Sequence, residues 1–158
     1  MRSSCSLGAM SPDAGISLRE ITSDNVRAIC DLSVAPDQEQ FVAPNAVSMA
    51  EYAVTTKAWT RAIYADDDPV GYVLLSDDDE KPRYYLWRFM IDQRYQGLGF
   101  GKRSMDLVID YVRGRPGADG LYLSYVPAEG GPEDFYKNMG FADTGRVHDG
   151  EVEALLTY

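Results

Sequence analysis

The chain predicts a single α+β domain, and three observations carry that reading. Segments of strand character and of helical periodicity follow in the order β-α-α-β-β-β-α-β-α-β-β. Neither a doubly wound α/β alternation nor a helical bundle produces that order. The composition is globular, with 45% hydrophobic and 25% charged residues. A length of 158 residues fits one domain and buries a core without disulfides or metals.

The elements follow from local pattern. Residues 1–15 lack periodicity and read as a disordered leader or tag remnant, which leaves 16–158 as the folded domain. Ile16 to Ile21 alternates apolar and polar side chains, as a half-buried strand does. Thr22-Ser23-Asp24 offers N-caps for a helix carrying Val26, Ile29, Cys30 and Val34 and ending at Pro36. After a polar loop, Ser48 and Glu51 have capping-box spacing, which predicts a second helix over 48–57. Trp59–Ala65 and Val70–Leu75 read as a hairpin around Asp66-Asp67-Asp68-Pro69. The acidic run Asp77 to Glu80 reads as a solvated loop tip. Tyr84–Asp92 is the most aromatic strand, and a helix over 102–113 follows it. Leu121–Val126 is a strand and Glu133–Met139 a short helix. Phe141–Val147 and Val152–Tyr158 close as a hairpin on Asp149-Gly150.

Charge and composition exclude several functions. A formal net charge of −10 disfavours nucleic acid, whose phosphates need a basic surface. It suits a cationic substrate drawn in by the field. No stretch approaches the roughly 20 apolar residues of a membrane span, and Arg2 has no apolar run behind it. The chain therefore reads as cytoplasmic. Two cysteines, no C-x-x-C and a single histidine give a zinc site or a thiol nucleophile little to build on. Cys30 reads as a small core residue and His148 as a turn residue.

The chemistry concentrates where the aromatic strand meets its helix. Gln96-Gly97-Leu98-Gly99-Phe100-Gly101 joins the two. Closely spaced glycines let backbone N–H groups converge on one point, and the helix end adds positive potential. Lys102 and Arg103 occupy the first turn, where they oppose the helix dipole unless an anion sits there. The missing G-K-[ST] ending excludes a P-loop, and no βαβ unit with a trailing acidic residue supports a dinucleotide fold.

Gln96-x-x-Gly99-x-Gly101 resembles the Q/R-x-x-G-x-G/A pyrophosphate motif of the GNAT superfamily of N-acetyltransferases. A register starting at Arg94 also matches; the Gln96 register places its last glycine against the helix. A second segment, Phe135-Tyr136-Lys137-Asn138-Met139-Gly140-Phe141, is similar to the family's F-Y-x-x-x-G-F. The resemblance spans about residues 16–158. It implies a central mixed, mostly antiparallel twisted sheet of six or seven strands flanked by about four helices. It implies acetyl-CoA as co-substrate and no metal. Backbone groups of Met90 and Ile91 would run beside the pantetheine arm. Backbone N–H groups of Gln96, Gly97, Leu98, Gly99, Phe100, Gly101 and Lys102 would hold the pyrophosphate. Tyr136 would lie near the thioester sulfur as general acid. Relatives often carry asparagine seven residues before this tyrosine; Glu129 stands there instead, so no contact is assigned to it.

The reaction gives these roles a reason. An amine attacks only when neutral, yet an alkylamine has a pKa near about 10.4. The oxyanion needs donors, and the leaving thiolate needs a proton that a phenol can supply. Retention of Tyr136 favours an enzyme over a non-catalytic acyl-CoA-binding module. Within the superfamily the resemblance is greatest to bacterial spermine/spermidine acetyltransferases, through Leu32–Val42 and Arg88-Phe89-Met90-Ile91-Asp92. That implies a small cationic amine as acceptor, with Asp37 and Glu39 on the acceptor side and aromatic surface from Tyr84, Tyr85, Trp87 and Tyr125. A protein N-terminus or an aminoglycoside is the alternative acceptor. Glu39, Asp92 or a water chain could serve as base. Strict alternation puts Trp87, Phe89 and Ile91 on one side of their strand and Arg88 and Met90 on the other. A homodimer is implied by resemblance alone.

Overall fold

A computed structural model describes residues 9–158. Seven strands form one sheet in the order β1-β2-β3-β4-β5-β7-β6. They are β1 (Ile16–Arg19), β2 (Ala58–Ala65), β3 (Asp68–Ser76), β4 (Tyr85–Ile91), β5 (Gly120–Tyr125), β6 (Ala142–His148) and β7 (Glu151–Thr157). Only β4 and β5 pair in parallel; every other pair is antiparallel. The helices are α1 (Val26–Asp31), α2 (Asn45–Val54), α3 (Phe100–Arg113) and α4 (Glu133–Asn138). This is the mixed, mostly antiparallel sheet with four helices that the sequence implies.

The helices cover both faces. Met105, Val108, Ile109 and Val112 recur at helical spacing along α3 and are all buried. They pack on Tyr84, Leu86, Leu121 and Leu123 of the sheet region. Each such side chain contributes about 1.5–3 kcal/mol by leaving water. On the opposite face Ile29 and Leu32 pack against Ala62, Tyr72, Leu74 and Met90.

The feature that positions the site is a failed strand pairing. β4 meets β5 only at Tyr85↔Tyr122 and Leu86↔Leu123. Just beyond, Leu74 pairs with Arg88 and Leu75 with Leu86, so Trp87 is an extra residue in β4. Such a bulge bends its strand and re-aims side chains. From Trp87 to Ile91 the β5-facing edge of β4 has no strand partner, and the sheet opens there into a V.

The same bulge corrects the strict alternation. Phe89 and Ile91 do pack on the α3 side, and Met90 on the α1 side. Trp87, however, lines an opening with Glu51, Thr55 and Arg88, on the α2 side. Alternation assumes an uninterrupted strand, and the extra residue breaks it.

Several local expectations shift for physical reasons. α2 starts three residues before Ser48, after Pro44, so Ser48 is an interior helix residue, fully buried, and does not cap. Cys30 is exposed on α1, while its neighbour Ile29 takes the core position. In the acidic run, Asp77 accepts hydrogen bonds from Tyr111 Oη (2.6 Å) and Arg115 Nε (2.7 Å), and Asp78 pairs with Lys57. That loop tip is pinned to the C-terminal end of α3 and to Lys57, which precedes β2. Residues 1–8 of the predicted leader lie outside the described residues. Its remainder packs on the domain: Ala14 is buried, and Arg103 donates to the carbonyls of Pro12 (3.0 Å) and Ala14 (2.6 Å).

Candidate active site

The glycine turn opens on the V of the sheet. Gly97 and Gly99 adopt φ of +79° and +82°, a region that L side chains rarely enter. A Cβ at either would meet nothing within 4 Å, so both face open space. Gly99 is the N-cap of α3 and supplies no side-chain cap, so the first N–H groups of the helix remain free for an external acceptor. Gly101 is small for another reason. A Cβ there would lie 3.4 Å from the Phe135 ring, so the second motif packs directly on the first. The residues present fit a pyrophosphate on this turn.

The side chains around the turn hold it from behind. Gln96 Nε2 donates to Ile91 O and to Gln38 Oε1, both at 2.9 Å. This gives the Gln96 register a structural reason. Arg94 points elsewhere, to the Asp92 carboxylate at 2.8 Å and over the Tyr95 ring. Asp92 is buried and also accepts from Ser33 N and Arg94 N. Burial opposes its ionisation, but the hydrogen bonds from Arg94 and Ser33 override burial and leave its pKa below the usual carboxylate value. Asp92 is thus a latch, and its oxygens are engaged. Arg103 is likewise spent on the Pro12 and Ala14 carbonyls. Lys102 is exposed and pairs with Asp106 at 3.1 Å.

A cleft of about 480 Å³ runs along the opening. Met90, Ile91, Gln96, Gly97, Gly99, Phe100, Gly101, Lys102 and Tyr136 all line it. Leu98 does not; its side chain packs with the core cluster of Ile63, Ile91 and Phe100. Of the two β4 residues, Ile91 has its carbonyl already taken by Gln96. The sequence reading missed Val34, Phe41 and Val42, which roof the cleft from the loop after α1, and Gly130-Gly131-Pro132, which close it. A glycine pair followed by proline was a visible signal for a loop moulded to a surface. The apolar roof carried none. Glu129 does not line the cleft.

Tyr136 sits at the far end. Its ring packs against Phe135, Phe141 and Tyr125 at centroid distances of 5.4, 5.8 and 6.3 Å. Burial among these rings pushes its phenol up to about 12. It also lines a narrow passage with Trp87, Ser124 and Glu151. The passage leads to a second, larger opening of about 1090 Å³.

That second opening is lined by three carboxylates and by two guanidinium groups, Arg88 and Arg146. Glu39, Glu151 and Glu153 line it together with Phe41, Tyr85 and Trp87. Glu153 is paired with Arg83 at 2.7 Å, whereas Glu39 and Glu151 have no ion pair among the described residues. Arg88 is held by Glu51. Asp37 is exposed and lines neither opening, because the 3-10 turn Pro36–Phe41 points alternate side chains apart. Tyr84 and Tyr125 are buried core residues, which leaves Tyr85 and Trp87 as the aromatic wall. Glu151 opens β7 straight after the Asp149-Gly150 turn, and no local pattern marks it as facing the same opening as Glu39, 112 positions earlier in the chain.

The acetyltransferase (GNAT) family pattern matches residues 27–141. The chain belongs to this family. It is therefore an acetyl-CoA-dependent N-acetyltransferase by family. A spermine/spermidine N(1)-acetyltransferase of Bacillus subtilis (strain 168) is 27% identical over 138 residues, covering 84% of this chain and 91% of that protein. Among solved structures, a domain from Methanocaldococcus jannaschii superposes with a TM-score of 0.75 at 15% identity, covering 92% of this chain and all of that one. A Bacillus subtilis acetyltransferase in complex with CoA superposes at 0.66 and 16%, covering 92% and 99%. Among the described residues no helix is long and apolar enough to cross a membrane, and no three metal-ligating side chains cluster.

Proposed function

We propose that this acetyltransferase moves an acetyl group from acetyl-CoA to a polyamine or another small di- or polycationic amine. One observation carries the proposal: Tyr136 lines both the cleft under the glycine turn and the passage to the second opening. The pyrophosphate would rest on the Gly97–Lys102 backbone and the pantetheine arm along the free edge of β4. The thioester would then lie at Tyr136. The amine would approach from the other side, through the passage.

The carboxylates fit the remote charge of the acceptor better than its reacting nitrogen. A carboxylate beside an ammonium stabilises the charged form, which cannot attack. A second ammonium held by Glu39 and Glu151 against Tyr85 and Trp87 leaves the first free to lose its proton to water at the passage. Asp92, already hydrogen-bonded on both oxygens, is a poor base. Tyr136 is protonated at every physiological pH, so it is in the correct form to donate to the departing sulfur. The name of the Bacillus subtilis relative supports the same acceptor class.

A panel of amines with free-thiol release as readout tests this. Spermidine and spermine should turn over with kcat/KM about 100-fold above propylamine, which lacks the remote charge. Turnover of N-terminal peptides or aminoglycosides without polyamines would select those acceptors. CoA binding without turnover of any amine would make the chain a binding module.

A further inference from the structure

The turn Pro36–Phe41 belongs to both openings. Gln38 lines the cofactor cleft and Glu39 the acceptor opening; Phe41 lines both. The turn carries little of its own anchoring, since none of its residues is buried. What holds it is the segment that leads into the glycine turn. Gln38 Nε2 donates to Gln96 Oε1 at 3.1 Å, and Gln96 Nε2 returns a bond to Gln38 Oε1 at 2.9 Å. Gln38 Oε1 also accepts from Ala35 N at 3.1 Å, which fixes the start of the turn. Two further stitches lie just before: Asp92 accepts from Ser33 N, and Gln93 N donates to Ser33 O at 2.8 Å.

The stitches differ in kind. The Asp92 and Gln93 contacts use a buried carboxylate and backbone, and they hold Ser33 whether or not a ligand is bound. The Gln38–Gln96 pair is exposed and neutral. An exposed, neutral amide pair is the weakest of these stitches. Any ligand that immobilises Gln96 removes part of the ordering cost of that pair.

We propose that Gln38 is a positioning residue that couples the two sites: a CoA phosphate on the glycine turn fixes Gln96, Gln96 fixes Gln38, and Gln38 sets the Glu39–Phe41 wall of the acceptor opening. This rests on the acceptor opening proposed above. Linkage then requires that amine and CoA each tighten the other by one factor.

Hydrogen exchange with CoA itself as probe tests the coupling without reference to the amine. In the wild type, saturating CoA should slow exchange of amides 37–40 by at least about fivefold, the lower end of ordinary site coupling. In Gln38→Met the protection should fall below about twofold at saturating CoA, while α2 amides and the melting temperature stay near wild type. Gln96→Met cuts the same bridge from the other side and leaves the Ala35 cap intact, though it also removes the Gln96–Ile91 bond, so at CoA concentrations re-established as saturating for that variant it should give the same loss. Wild-type protection in Gln38→Met, or no protection by CoA in the wild type, overturns the proposal. A second arm measures CoA affinity by calorimetry with and without spermidine. Spermidine should tighten CoA about fivefold in the wild type and under about twofold in Gln38→Met. Spermidine that neither binds nor turns over defeats the polyamine reading, and the CoA-only arm still decides the coupling.

Discussion

Gly99 caps α3 in the left-handed region with open space where a side chain would project. Gly99→Val therefore meets two penalties of different origin. The backbone conformation costs about 1–2 kcal/mol of stability, and the branched side chain fills the space above the turn. CoA affinity should fall more than tenfold by calorimetry, whereas a variant that melts lower but binds CoA normally would remove the turn from the phosphate site. Tyr136 sets the pH behaviour. Its folded pKa, pushed up by burial to about 12, keeps the phenol protonated through the working range. Activity should rise with pH toward the amine's pKa near about 10.4 and show no alkaline limb below pH about 10. A fall in kcat between pH 8 and 9.5 would contradict this assignment. The residues legible from sequence at this scale were those with a backbone role, Gly97, Gly99 and Gly101, because a positive φ or a close contact restricts residue type directly. Glu151 was not legible, since a carboxylate at the start of a strand looks the same whether it faces solvent or substrate.

At the scale of elements, the site is built by β4 and what fastens its end. Asp92 joins the end of β4 to Ser33 after α1 and to Arg94 before the glycine turn. Its folded pKa is depressed, so its stabilisation is present above the unfolded value near about 3.9 and is lost as pH falls through the folded value. Asp92→Asn should lower unfolding free energy by about 2–3 kcal/mol in urea at pH 7, with the difference from wild type shrinking in acid. A pH-independent difference would show that the carboxylate charge is not what matters. The order of elements was readable because hydrophobic period and turn residues are local. The V in the sheet was not. It depends on the bulge at Trp87 and on a parallel pairing limited to two residue pairs, and both are set by partners far away in the chain.

The whole molecule adds a field and a titration. A net charge of −10 with unpaired Glu39 and Glu151 at the acceptor opening predicts strong screening. Raising ionic strength from about 0.01 to 0.5 M should raise KM for spermidine severalfold and raise KM for the monocationic propylamine much less. Equal effects on the two amines would assign the salt dependence to something other than steering. Seven tyrosines, Tyr72, Tyr84, Tyr85, Tyr111, Tyr125, Tyr136 and Tyr158, have phenols raised by burial, reinforced at Tyr111 by Asp77 and at Tyr125 by Asp143. Their contribution to stability is intact below the unfolded value near about 10 and is lost as pH rises through the folded values. The urea midpoint should therefore hold to pH about 9.5 and fall between about 10 and 12. The account as a whole rests on one side chain that lines both the cleft and the passage, Tyr136. Its direct test is Tyr136→Phe, assayed for single-turnover acetyl transfer and for CoA affinity on the same preparation. Transfer should slow about 100-fold while CoA affinity stays within about twofold. Transfer at the wild-type rate would contradict the account.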